Sequence, residues 1–182
     1  YQGKPVWHLS TNARTHSFFD KVFKVRDRVE SWWDKDRLLP YKFAKNLQEG
    51  KYRQHRVHIY DHAAGNTTYQ KWSFSDSRFE NSVMDMPANT QDILSAFYYV
   101  RSVPLSVGKS VYVDITADGR AMKTEVVVHR RETVKSIFGK VNCLVIEPKL
   151  RGEAVFKQSG RILIWLTDDE YRSEEHTSEL QS

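Results

Sequence analysis

The sequence predicts an all-β protein with one or two helices, and three observations carry that expectation. Apolar and polar side chains alternate at a period of two through most of the 182 residues, the spacing that sends successive side chains to opposite faces of an extended strand. β-branched and aromatic residues, which fit a pleated surface, crowd these stretches. Short polar turns separate them, the clearest being Ala117, Asp118, Gly119 and Arg120. Its central Asp-Gly pair accepts the positive backbone angles of a two-residue hairpin.

Along the chain, the first departure from this pattern is a short helical piece at residues 16–23, where Phe18, Phe19 and Phe23 form an aromatic stripe. Strands follow at residues 25–34, 41–48, 51–61 and 67–74, bounded by turn residues at 34–40, at Glu49 and Gly50, and at 63–66. Residues 90–101 read as the clearer helix, because Ile93, Leu94, Phe97 and Val100 recur at helical spacing. Asn89 or Thr90 is its expected cap, with Asp92 in the first turn, where a carboxylate meets the helix dipole favourably. Val111, Val113 and Ile115 then share a strand face, a second strand runs over 123–131, and a third over 140–147 is expected to end at Pro148. The last strand, 161–167, is apolar on both faces from Ile162 to Leu166 and is therefore expected to lie centrally or beneath a helix. The layout is a meander of hairpins.

The chain has 28 lysines and arginines against 23 aspartates and glutamates, a formal charge of +5. This balance suits an anionic partner and is equally common in proteins without one. No apolar run approaches the ~20 residues of a membrane-spanning helix. Cys143 is the single cysteine, which excludes an internal disulfide and a cysteine metal cluster. Sitting between Val141 and Val145, it reads as a packing residue rather than an activated thiolate. The final eleven residues, RSEEHTSELQS, look like the translation of a sequencing adapter. Residues 1–171 are therefore expected to form a single β domain, truncated at both ends, and 172–182 a disordered artefact. The tail carries one arginine and three glutamates, so the charge without it is +7.

Three strings are more telling than periodicity: SFFDKVFKVRDRVESWWDKDRLLPYKF at 17–43, QDILSAFYYVR at 91–101 and FGKVNCLVIEP at 138–148. With FKQSGRILIWLTDDE at 156–170, they resemble the family called domain of unknown function 3108, over about residues 1–170. The chain then reads as an interior, metagenomic fragment of such a protein. The resemblance implies an exported bacterial protein without established catalysis. It also implies a curved antiparallel meander sheet or partial β-barrel with a helix packed against it.

Several constellations bear on chemistry. His55, His58 and His62 invite a metal reading, but strand geometry puts His58 and His62 on one face and His55 on the other, so no metal site is expected. At Phe23 to Arg28, Lys24, Arg26 and Arg28 share one face and Val25 and Asp27 the other. Arg26 and Asp27 are candidates for a structural ion pair bracing the sheet, with an anion site or a solvated basic edge as alternatives. KYRQHRVHIY and TTYQKW mix basic and aromatic residues without a recognised nucleic-acid motif, so no nucleic-acid partner is expected. Trp32, Trp33, Phe97 and Tyr98 are the candidate ligand-binding residues, since adjacent rings cannot all face one core. Terminal strands absent from the fragment would equally account for them.

Together these point to an exported, non-enzymatic protein of the periplasm or outer membrane of a Gram-negative envelope, without cofactor. It binds or carries a lipid or other apolar or amphipathic ligand, or meets an envelope protein. The alternative is a structural or protein-interaction module with a self-filled core. A hydrolase would need a polar cluster that no motif reveals.

Overall fold

The computed structural model describes residues 1–16, 23–137, 139–149 and 160–181. Its elements are β1 (Val6–Arg14), β2 (Arg26–Asp34), β3 (Pro40–Glu49), β4 (Tyr52–Asp61), β5 (Asn66–Ser73), β6 (Arg78–Asp85), α1 (Ile93–Ser102), β7 (Ser110–Ala117), β8 (Arg120–Ser136), β9 (Gly139–Lys149), β10 (Gly160–Thr167) and β11 (Glu174–Gln181). The protein is mostly β, with two open antiparallel sheets. One has six strands in the order β1-β2-β3-β4-β5-β6, and the other five in the order β11-β10-β9-β8-β7. Within each sheet consecutive strands are neighbours, as a meander of hairpins requires.

The chain divides into two compact units. The first is Tyr1–Ala96 with Asp114–Met122, and the second is Phe97–Val113 with Lys123–Ser182. Each buries apolar side chains of its own: Trp33, Phe43, Tyr60 and Ile115 in the first, and Val128, Leu144, Val145, Ile146 and Leu166 in the second.

The helix begins later than its spacing suggests, and its cap is Asp92 rather than Asn89 or Thr90. Asp92 Oδ1 accepts the backbone N–H groups of Leu94 and Ser95, both at 2.8 Å, while Ser95 Oγ accepts the N–H of Asp92 at 2.9 Å. This reciprocal pairing satisfies donors that a helix start leaves without partners. Asn89 lies in the left-handed region at φ 60°, and the hydroxyl of Thr90 is 2.8 Å from that of Thr116.

Three further differences have local causes. β9 runs through Pro148, which pairs with Val126 on β8. β10 is registered on β9 only between Cys143 and Ile146, so the missing proline N–H can face a side where that ladder has ended. The tail residues 174–181, expected to be disordered, form β11 along the free edge of β10, where extended backbone finds ready hydrogen-bond partners. This leaves the doubly apolar β10 central, as expected. β1 and β6 are not anticipated, because their side chains are mostly exposed and polar and carry little apolar alternation. The expected helix at 16–23 lies largely outside the described residues.

The Asp-Gly hairpin forms as the turn chemistry demands, with φ of 52° at Asp118 and 78° at Gly119. A Cβ at Gly119 would stand 2.8 Å from the Tyr69 ring. Gly119→Ala is therefore expected to lower stability by about 1–3 kcal/mol, through left-handed strain and ring displacement together. A urea titration showing an unchanged midpoint would contradict this.

Candidate functional site

Within the first unit, cross-strand register lines up side chains on one face of the sheet. Ser31, Phe43, His58 and Tyr69 are successive partners across β2 to β5, and Lys45, Arg56 and Lys71 form the next row. The Asp118 carboxylate meets this second row, bonded to Lys45 Nζ and 3.5 Å from Arg56 Nη1. Its side chain is 2% exposed and that of Lys45 11%, so the ions are desolvated and depend on one another.

His58 is fully buried between the rings of Tyr60 and Tyr69, with centroids at 5.7 and 4.7 Å. The Gly119 N–H donates to His58 Nε2 at 3.1 Å, so that nitrogen carries no proton. Nδ1–H then donates to Thr67 Oγ1 at 3.2 Å, and the threonine hydroxyl donates onward to the Ile59 carbonyl at 2.9 Å. Burial favours the neutral ring and lowers its pKa from 6.5 to about 4. Asp92 is the opposite case. Burial raises its pKa from 3.8 to about 6, against hydrogen bonds from Ser31, Ser95 and Leu94 that favour the anion. The hydroxyl of Ser31 donates to Asp92 Oδ2 at 2.6 Å, tying β2 to the helix start.

The second unit holds a different cluster. Glu147, 3% exposed at its side chain, receives Arg161 Nε and Nη2 at 2.9 Å each, His129 Nε2 at 2.6 Å and Lys149 Nζ at 2.7 Å. The forked Arg161 contact, with Lys149 and His129, holds the carboxyl well below the usual range although burial opposes this. A register shift between Val128 and Arg130 makes His129 the extra residue of a bulge. On the same face of β9 and β10, Cys143, Val145, Leu163 and Trp165 form a buried apolar cluster, with Val134 and Val141 packed against it. Trp165 is 8% exposed, and its Nε1–H has no hydrogen-bond partner among the described residues. The face thus grades from cationic at one end to apolar at the other.

The residues singled out from sequence are dispersed. Trp33 is buried and donates its Nε1–H to Gln91 Oε1 at 3.1 Å. Trp32, on the opposite face of β2, stacks on His8 at 4.7 Å beneath Lys42. Phe97 and Tyr98 meet edge to face at 5.6 Å, with Arg101 over both rings. Arg26 Nη1 donates to the Val25 carbonyl at 2.6 Å and to Thr15, while Asp27 Oδ1 accepts the Gln48 N–H at 2.9 Å. Of the three histidines, His62 Nε2 is 2.8 Å from the Pro40 carbonyl oxygen and His55 lies against the edge of Phe79. Among the described residues no three His, Cys, Asp or Glu side chains are grouped to hold a metal. Reading the sequence for motifs missed Glu147, Lys149, Arg161 and Trp165. The available signal was β9 itself, whose alternate positions change from Val141, Cys143 and Val145 to Glu147 and Lys149.

A family model described as "Protein of unknown function (DUF3108)" matches residues 1–177. The chain belongs to this family. No curated protein matches it. Among solved structures, this DUF3108 chain is similar to one described as a beta-barrel-like protein of domain of unknown function DUF1849 from Brucella abortus. The identity is 14%, the TM-score 0.53, and the alignment spans 88% of this chain and 68% of the other. At that identity the likeness concerns fold alone. No helix among the described residues of the DUF3108 chain is long and apolar enough to cross a membrane.

Two measurements check the first cluster. Asp118→Asn removes the charge that balances Lys45 and Arg56, and a loss of about 3–5 kcal/mol is expected in chemical denaturation. The titrations of His58 and Asp92 act in opposite directions. The neutral His58 contributes on the order of 3 kcal/mol above pH 6.5, lost as pH falls toward 4, because its folded pKa is depressed. The Asp92 contribution is present below 3.8 and lost as pH rises through 6, because its folded pKa is raised. Asp92→Asn removes the compensating slope, so its stability should fall more steeply than wild type between pH 6.5 and 4. Parallel curves for the two proteins would refute the assignment.

Proposed function

We propose that this DUF3108 protein is a non-catalytic binding protein that takes an amphipathic anion on the β9-β10 face of its second unit. The observation that carries the reading is the indole N–H of Trp165, without a partner among the described residues and set in an apolar strip that ends at the Lys149 and Arg161 cations. A buried donor without a partner is costly, and a ligand oxygen would relieve that cost. An alkyl chain laid over the partly exposed Val134 and Val141, which pack against that strip, gains about 0.8 kcal/mol for each methylene it buries. Its acidic head meets the partly exposed Arg161 guanidinium and Lys149 ammonium.

The non-catalytic reading is supported by how the reactive side chains are used. Both His58 nitrogens are engaged, and Asp92 is committed to a cap. The Cys143 thiol is buried, and burial pushes its pKa up. These groups hold structure together, and none of them is a poised nucleophile beside a base. Export to a Gram-negative envelope is part of the same proposal, supported by the resemblance carried by residues 17–43, 91–101 and 138–148.

A second reading, a structural or protein-interaction module, is favoured by the first unit, where the protein's own side chains fill the sheet face around His58. Native mass spectrometry of the full-length protein purified from a Gram-negative periplasm separates the two. Lipid or fatty-acid adducts are expected, and displacement of a fluorescent fatty acid should be several-fold weaker in Trp165→Phe, which keeps the ring and removes the donor. A clean apo mass together with no fatty-acid binding would favour the module instead.

A further inference from the structure

The first unit carries a surface that neither its buried cluster nor the proposed ligand face absorbs. Three lysine ammonium groups lie over aromatic rings at one end of the six-stranded sheet. Lys4 sits 4.5 Å from the Tyr41 centroid, Lys35 4.4 Å from Trp7 and Lys42 4.6 Å from Trp32. Register brings them to one end of the sheet but to both of its faces: Trp7, opposite Trp33, lies on one face near the end of β2, Trp32, opposite Lys42, lies on the other at the start of β3, and Lys35 is in the turn between those strands. Trp7 remains 52% exposed, and Lys4 and Lys35 are exposed.

We propose that this corner docks on an anionic membrane surface. An indole or phenol ring carries a broad apolar body with a polar edge and is most stable where water gives way to hydrocarbon. A lysine beside it can lay its stem along the ring and extend its ammonium to a lipid phosphate. Ring and ammonium side by side, three times over, match both layers of an anionic bilayer, the charged headgroups and the apolar boundary beneath. The neighbouring carboxylates do not cancel the lysines. Asp34 turns its oxygens to the Asp36 and Arg37 N–H groups and to the Tyr41 hydroxyl. Arg37 adds a further cation beside Asp36 in the same turn. An acidic protein would satisfy the ammonium groups but has no reason to require the exposed indole. This inference concerns a different unit and different residues from the proposed ligand face, so either can fail alone.

Co-sedimentation of the full chain with lipid vesicles tests it. Vesicles of phosphatidylcholine with a third phosphatidylglycerol should bind the protein about ten-fold more strongly than phosphatidylcholine alone, with the difference shrinking as salt is raised. The double variant Lys35→Glu/Lys42→Glu should lose about ten-fold in that binding, and Trp7→Ser several-fold, because both the ammonium and the indole are used. Lys123→Glu/Lys140→Glu changes the net charge equally and removes a lysine from another ring, Tyr112; it should bind as wild type does. Far-UV circular dichroism and the melting temperature confirm that each variant is folded before it is scored. Equal binding to both vesicle types would overturn the proposal, as would a control double variant that loses as much as the corner variant.

Discussion

The first unit depends on one clasp between charges and a hairpin tip. Asp118 sits in left-handed backbone beside Gly119, and from there its carboxylate reaches Lys45 and Arg56 on two adjacent strands. The same tip presents the Gly119 N–H to His58. A two-residue turn thereby anchors Lys45 and Arg56 and sets the tautomer of a buried histidine. Loss of either end leaves charge or hydrogen-bonding capacity stranded away from water. Around it the polar groups are satisfied in series: Tyr60 to the Thr116 carbonyl, Thr90 to Thr116, Ser31 to Asp92, Trp33 to Gln91. Such a network specifies one arrangement of strands more sharply than apolar packing alone would.

The second unit solves a related problem with the opposite polarity. Glu147 is a buried anion held by Arg161 and Lys149, which keep part of their surface in water, and the apolar strip beside it carries an indole N–H with no partner among the described residues. In the first unit, the ions and the His58 ring bond mainly to one another, while Asp118 Oδ1 and Arg56 Nε have no hydrogen-bond partner among the described residues. In the second, the partly exposed Lys149 and Arg161 cations share one face with the Trp165 indole.

Much of this architecture was legible from local signals. The Asp-Gly pair located the hairpin tip because few residue pairs accept two positive φ values, and the doubly apolar run from Ile162 to Leu166 correctly placed β10 between two other strands. β1 and β6 were not legible, since edge strands with mostly exposed side chains need no alternating pattern. The helix cap was missed for a tertiary reason: the hydroxyl of Thr90 had a better partner in Thr116, far along the chain, leaving Asp92 as the nearest acceptor. The sites were the least legible part. Ring-rich positions such as Trp32 and Trp33 drew attention by composition, whereas Glu147 became notable only once Arg161, Lys149 and His129 were seen to converge on it from three strands.

Cys143, the chain's single cysteine, lies fully buried in β9 with its thiol pKa pushed up by that burial. Alkylating reagents attack the thiolate, so in the folded state the group is doubly shielded, by access and by ionisation. Its modification must therefore wait for the strand to separate from its neighbours. The protein consequently carries its own clock for the opening of the five-stranded sheet, one that runs without any introduced label and leaves the first unit chemically silent.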